Sequence, residues 1–320
     1  MGATDGSNYL DLQFFGSLIM LKKIFALAEL ARPLNCILTG ISVIVGAVCN
    51  DLFIFEEKFF QINKNSSTNL LSKAILSAML INAAGNAIND WCDKSIDEVN
   101  RPDRPLPAGR LKSSSAVLFS AITCTMGIIL STLVSPIHFL ITIFISALLL
   151  AYSLWLKNSV LYGNLLVGLV SSATFPFGAL ALGEIQRSWI PAGFALFFHI
   201  GREIIKDVED IQGDQIQGLK TFPITFGVPA TQKITVVIFL ILALFTLLPF
   251  YAKIYGSIYF TIVVIYNALV IFVLYLFIHT QTKIVNGYLG RMLKIAMFLG
   301  LTAIAAGEFE RSFLKSSLFD

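Results

Sequence analysis

Long apolar stretches joined by short polar segments dominate this chain of 320 residues. Nine runs of near-membrane length can be read, at roughly 30–49, 70–89, 114–134, 137–155, 160–182, 188–205, 230–251, 257–279 and 292–308. About 20 helical residues cross the hydrocarbon core of a bilayer. Backbone groups in lipid must pair internally, which favours helices over an open sheet. The runs also lack the alternation of a membrane β-barrel. The pattern predicts an all-α, polytopic membrane protein, a bundle of nine transmembrane helices. The run at 188–205 is the least regular, because Pro191 and Gly193 interrupt its start.

One membrane domain is expected over 25–310, after an N-terminal cytoplasmic segment at 1–24 and before a C-terminal tail at 311–320. The first segment has no signal-peptide pattern. It holds a short amphipathic stretch at Leu10, Leu12, Phe14 and Phe15, which either lies on the membrane surface or is disordered. Residues 51–69 read as a polar loop with an aromatic patch at Phe53, Phe55, Phe59 and Phe60.

With nine spans, the N-terminus and the joints after the second and sixth runs share one side of the bilayer. By these boundaries that side holds 16 of the 23 Lys and Arg residues. The excess of basic residues assigns it to the cytoplasm. Hydrophobic residues make up 56% of the chain and charged residues 13%, which excludes an ordinary soluble domain. A net charge of +3 is too small to argue for nucleic acid. Cys36, Cys49, Cys92 and Cys124 show no paired spacing, so disulfides and zinc are not indicated. His138, His199 and His279 fall at different depths and suggest no shared metal.

The same two joints concentrate the acids. Of twenty Asp and Glu residues, ten lie within 90–103 and 203–214. Carboxylates beside hydrocarbon are costly without a cation or a water-filled cavity. Asn89, Asp93 and Asp97 are spaced i, i+4, i+8, which keeps them near one helix face with a drift of roughly 40° per step. Asp210 and Asp214 repeat the i, i+4 step, with Asp207 one turn earlier. Two facing helices bearing such groups form an oxygen-rich cage, and oxygen ligands suit Mg²⁺ or Ca²⁺. Magnesium typically takes one or two carboxylates plus substrate phosphates. The ligand is therefore expected to be a phosphorylated or diphosphorylated molecule. The loop after the first cluster sets Arg101 and Arg104 among Pro102, Pro105 and Pro107, and an arginine fork suits phosphate oxygens. Lys157, Lys206 and Lys220 are further candidates, although basic residues on this side are also expected from topology alone.

These residues resemble the UbiA family of intramembrane prenyltransferases. The family's first motif, N-D-x-x-D-x-x-x-D, is matched without a gap by Asn89, Asp90, Asp93 and Asp97. Its second, D-x-x-D-x-x-x-D, is matched by Asp207, Asp210 and Asp214. Arg32 to Asn35, Arg101 to Gly109, Leu156 with Lys157, and Gly163 with Asn164 add to the likeness, which covers about 30–310.

The resemblance implies Mg²⁺ as cofactor, held by Asn89, Asp93, Asp97, Asp210 and Asp214. It implies a prenyl diphosphate donor whose tail lies between helices, and an allylic cation captured by a nucleophile. Asp93, Asp210, Arg101 and Lys157 are the implied catalytic residues. Arg32, Asn35, Asn86, Asp90, Arg104, Asn164, Lys206, Asp207 and Lys220 are implied in substrate binding, with Asp90 and Asp207 as alternative orienters of basic groups. The strings at 100–107 and 202–214 are most similar to the ether-lipid branch, which transfers a geranylgeranyl group to a hydroxyl of geranylgeranylglyceryl phosphate. That acceptor's phosphate needs its own cations, for which Arg32, Arg101, Arg104 and Lys157 are available. An aromatic or tetrapyrrole acceptor is the alternative within the family. A divalent-cation transporter is the non-enzyme alternative, but transporters bind near the midplane on broken helices. A CDP-alcohol phosphotransferase would carry an Asp-Gly-x-x-Ala-Arg opening that neither cluster has.

Overall fold

The computed structural model describes residues 20–49, 67–183, 185–279 and 283–316, of which 67–68, 283–287 and 314–316 are described by their backbone alone. The amphipathic stretch at Leu10 to Phe15 and the aromatic patch at Phe53 to Phe60 lie outside these residues. Helix α1 (Met20–Ala31) and α2 (Pro33–Val48) meet at a 47° bend. Arg32 sits at that bend with φ 54°, and Pro33 opens α2, where its missing N–H costs nothing. Helix α3 (Ser67–Cys92) is followed by α4 (Lys94–Asn100), α5 (Ser113–Thr132) and α6 (Pro136–Ala151). A π-helical turn, Tyr152–Leu156, ends α6. Then come α7 (Tyr162–Ser172), α8 (Thr174–Leu180), α9 (Trp189–Ile216), α10 (Phe222–Phe226), α11 (Val228–Tyr251), α12 (Ser257–His279) and α13 (Lys283–Ser316).

The chain is thus an all-helical, multi-pass membrane protein, with no strand among the described residues. Among the described residues, seven helical segments are long and apolar enough to span a bilayer, or eight if α1 and α2 count as one bent span. The expected count of nine is not confirmed. With that bent pair counted, the segment read at 188–205 is the difference: it belongs to α9, whose Arg202, Glu203 and Lys206 dilute its apolar character. Helix α9 also continues eleven residues past 205, to Ile216, so the second acidic cluster lies on a helix and not in a loop.

Packing follows the rules of a lipid solvent. Leu118, Ile122, Leu140, Phe144, Leu244 and Phe272 point outward, where acyl chains solvate them as well as a core does. Phe198, Phe239, Leu242, Tyr266, Leu289 and Leu293 form a core between α9, α11, α12 and α13. Backbones of α2 and α8 approach so closely that a Cβ on Gly178 would stand 1.9 Å from the Val43 carbonyl oxygen, and one on Gly46 2.0 Å from that of Phe175. Outside the bundle, Leu30, Ala87, Leu106, Leu111 and Ala116 pack α1 and the 101–112 loop over the ends of α3 and α5. Arg110 ties the same loop to α1 through both oxygens of Glu29, at 2.6 and 2.9 Å.

Candidate active site

The first acidic motif runs across the break between α3 and α4. Backbone bonds from Asp93 to Asn89, Asp97 to Asp93 and Arg101 to Asp97, at 2.8, 2.8 and 2.7 Å, carry the helical repeat through the break. The four side chains therefore stack along one edge. Asp93 sits at the break with φ −88° and ψ 4°, the bridge region where turn and active-site residues are often found. The second motif occupies the C-terminal half of α9.

Asn100 clamps the two motifs together. Its amide donates to the Asp210 carbonyl at 3.0 Å and accepts from the Gly213 backbone N–H at 3.2 Å. A Cβ on Gly213 would lie 2.4 Å from the Asn100 amide nitrogen, so glycine lets Asn100 sit this close. Neither residue is evident from the acidic pattern; the available signal was a glycine inside a helical motif, which costs helix stability without a packing reason.

Basic side chains thread the clamped acids. Arg101 holds Asp210 with both ends of its fork, at 2.7 and 3.0 Å, and reaches Asp97 at 3.6 Å. Arg104 bonds Asp97 at 2.6 Å and Asp90 at 3.1 Å, and Asp90 also pairs with Arg32. The Lys157 ammonium lies 2.7 Å from Asp93, whose same oxygen accepts from Asn89 at 2.7 Å. The π-helical turn before Lys157 brings that ammonium in. Such turns insert a residue and re-aim the side chains beyond it.

Burial opposes the charge on Lys157, but Asp93, Asp214 and Asp210 outweigh it and hold its pKa above the ordinary value. The same balance, with Asp210, Asp97 and Glu209 outweighing burial, raises Arg101. Burial pushes the Asp97 carboxyl up in spite of Arg104. It pushes Asp214 up to about 6, with Asp210 and Asp93 adding to the effect and Lys157 opposing it. The six motif carboxylates outnumber the four cations that pair among them, Arg32, Arg101, Arg104 and Lys157.

Asp214 shows the imbalance most directly: its Oδ1 is buried without a hydrogen-bond partner. The donor set is all oxygen, so its chemistry fits a hard divalent ion. No preformed cage of three or more Asp, Glu, His or Cys side chains is closed among the described residues. Lys157, Arg101 and Arg104 hold the acids instead.

Most other sequence-derived residues gather nearby. Asn164 donates to Asp207 at 2.7 Å. Asn86 bonds the Ala31 carbonyl at 3.0 Å and Asn82 at 2.8 Å, bracing the bend at Arg32. Asn35, Asn86, Asn89, Arg32 and Lys206 line a cavity of about 220 Å³ between the helices. Lys206 pairs with Glu203 at 2.8 Å and touches none of the motif aspartates within ion-pair distance. Lys220 stands apart. It is exposed, its backbone N–H is held by Asn158 at 2.9 Å, and its ammonium forms no ion pair among the described residues. Arg32, Arg101, Arg104 and Lys157, the cations expected to be available to an acceptor phosphate, are each engaged with a motif carboxylate. Sequence reasoning missed Asn82, Asn100, Arg202 and Lys294 as cavity or clamp residues.

A multi-pass helical membrane protein with paired Asp motifs beside an interhelical cavity defines an intramembrane prenyltransferase. Residues 59–286 match the UbiA prenyltransferase family, and the chain belongs to it. A digeranylgeranylglyceryl phosphate synthase of Methanopyrus kandleri is 33% identical over 288 residues, covering 88% of this chain and 98% of that protein. One from Methanosphaera stadtmanae is 28% identical over 279 residues, covering 87% and 97%. A solved structure described as a digeranylgeranylglyceryl phosphate synthase in membranes superposes with a TM-score of 0.65 at 29% identity, covering 89% of this chain and 98% of that one. A UbiA homologue from Archaeoglobus fulgidus, bound to GPP and Mg²⁺, shares the fold with a TM-score of 0.60 at 18% identity.

Proposed function

We propose that this protein transfers a geranylgeranyl group from its diphosphate to the hydroxyl of geranylgeranylglyceryl phosphate, in a Mg²⁺-dependent reaction that releases pyrophosphate. The observation that carries this reading is the convergence of Asp93, Asp97, Asp210 and Asp214, with Lys157 and Arg101 among them, beside a cavity between apolar helices. Similarity to named synthases of this lipid supports the choice of acceptor.

Asn89, Asp93, Asp97, Asp210 and Asp214 are the residues that would hold the metal. When bound, Mg²⁺ neutralises diphosphate charge as it develops on the leaving group. Arg101 and Lys157 donate toward the same charge, and donors fixed in a site of low dielectric cost little reorganisation. Arg104 keeps Asp97 and Asp90 aligned. The donor's carbon–oxygen bond breaks, an ether bond to the acceptor oxygen forms, and the hydroxyl proton passes to the released pyrophosphate or an aspartate. Apolar cavity walls such as Leu38, Ile81, Ile145 and Val167 keep water from the allylic cation. The active site faces the cytoplasm on this reading, because the acidic motifs share a side with most basic residues. The activity resides in one membrane domain at 25–310, flanked by a segment at 1–24 and a tail at 311–320. Helices α1 and α13 cross those limits.

The test is product identification with purified protein, labelled geranylgeranyl diphosphate, Mg²⁺ and geranylgeranylglyceryl phosphate. A doubly prenylated glyceryl phosphate is expected, and it is lost with EDTA and with Asp93→Ala or Asp210→Ala. A prenylated aromatic acid or tetrapyrrole instead would reassign the acceptor. No Mg²⁺-dependent pyrophosphate release with any prenyl donor would sink the reading.

A further inference from the structure

The cavity beside the aspartates carries a charge excess that the metal site does not explain. Four cations line it, Arg32, Arg202, Lys206 and Lys294, against one carboxylate, Glu203. Arg202 and Lys206 both pair with that single acid. Arg32 shares Asp90 with Arg104. Lys294, which α13 brings in from the far end of the sequence, has no hydrogen bond or ion pair among the described residues. The other cations lining the cavity with Lys294 are Arg202, Arg32 and Lys206. The Arg202 Nε is buried without a partner as well. Unmatched positive charge between apolar helices is unfavourable unless an anion completes it.

We infer that Lys294, Arg202, Lys206 and Arg32 form a second anion subsite, which binds the monophosphate headgroup of the lipid acceptor. This rests on the prenyl-transfer reading above and names where that acceptor's phosphate goes. The chemistry separates it from the diphosphate site. Of the first Asp motif only Asn89 reaches this cavity, and none of the motif carboxylates lines it. A phosphate here meets cations directly and needs no bridging metal, and two guanidinium forks suit its oxygens. The cavity also shares Ser42, Ser171, His199 and Met297 with an adjoining pocket of about 80 Å³, walled by Phe175, Phe194, Phe198 and Tyr266. A headgroup at the cations thereby has an apolar space beside it for its chain.

Binding of labelled geranylgeranylglyceryl phosphate to the full-length protein in nanodiscs, with EDTA present, tests this without turnover. Lys294→Gln and Arg202→Gln are each expected to weaken binding by about tenfold or more, as loss of a charge-assisted bond implies. Lys294→Arg should restore binding to within about threefold, on the same scale. Geranylgeranylglycerol, which lacks the phosphate, should bind wild type and Lys294→Gln alike. In turnover with Mg²⁺, Lys294→Gln should raise the KM for acceptor and leave that for geranylgeranyl diphosphate in place.

A rise in donor KM with acceptor binding unchanged would assign these cations to the diphosphate and overturn the subsite. Inorganic phosphate or glycerol phosphate competing as strongly as the lipid would reduce it to a free-anion site, which also overturns it. If wild type fails to prenylate this acceptor, the functional reading falls, while the EDTA binding comparison still decides the subsite. Melting curves of each variant identify any that fail to fold, and Arg202→Gln then carries the comparison.

Discussion

The Lys157 ammonium lies 2.7 Å from an Asp93 carboxylate oxygen, although 64 positions separate the two residues in the chain (157 − 93). Asp93 belongs to the first acidic motif and Lys157 to the turn that closes α6, so the contact joins two parts of the bundle. The same lysine feels Asp210 and Asp214 from the second motif. It thereby draws on acids of both motifs, and on the proposed reading Mg²⁺ and this lysine would compete for the same oxygens.

Lys157→Ala is expected to separate binding from catalysis. Removing the ammonium frees Asp93, so the affinity for Mg²⁺ should hold or rise in equilibrium dialysis. Turnover should fall by roughly 10²-fold or more, the usual scale for losing a donor to developing charge. Weaker Mg²⁺ binding in the variant would show that Lys157 shapes the site and does not compete in it.

Gly213→Ala sets two effects against each other. Alanine gains up to about 1 kcal/mol of helix propensity over glycine. Its Cβ would stand 2.4 Å from the Asn100 amide nitrogen and 3.0 Å from Ile96, so the Asn100 clamp must shift. Overpacking of this kind typically costs about 1–3 kcal/mol, and the displaced clamp should lower kcat as well. Thermal unfolding in detergent alongside turnover checks both, and a stabilised, fully active variant would remove the clamp from the account.

Gly46→Ala and Gly178→Ala should each impair folding. In both cases the new methyl meets a backbone carbonyl, which no rotamer change can move aside. Close backbone approach is a common basis of helix association in lipid. Monodisperse yield by fluorescence-detected gel filtration should drop sharply for each, while Gly193→Ala, which has open space, should behave as wild type.

Far from the acidic site, Glu310 of α13 accepts from the backbone N–H groups of Ser257 and Ile258 at 2.9 and 3.1 Å. These are orphan donors of the first turn of α12. Glu310→Ala should cost about 1 kcal/mol, the usual scale for losing a cap. Gln should recover part of it. A lowered melting temperature with unchanged KM values is the expected signature.

Much of this protein is local in origin and was legible in the chain. An apolar run of membrane length makes a helix wherever it packs, because lipid leaves its backbone no other partner. The spacing of Asn89, Asp93 and Asp97 places three oxygen ligands on one edge whatever lies opposite. The structure adds the reason that this edge survives the break at Asp93: the backbone bonds continue through it.

Where the reading fell short, the cause was charge or distance. Helix α9 was cut short at 205 because its acids look like a loop by composition, yet they continue a helix whose face meets α4. Lys220 looked equivalent to Lys157 by charge, but only a fold brings a lysine to an acid. Arg101 and Asp210 lie 109 residues apart, and the clamp of Asn100 on Gly213 spans 113. Lys294 reads in sequence as one more basic residue in an apolar helix. The amino-acid sequence by itself determined the helices, the oxygen donors and their spacing, since these depend on neighbours within a few turns. Tertiary structure alone decided which cations sit among the aspartates and which line the cavity, because Coulomb and hydrogen-bond energies act over a few ångströms of space and take no account of separation along the chain.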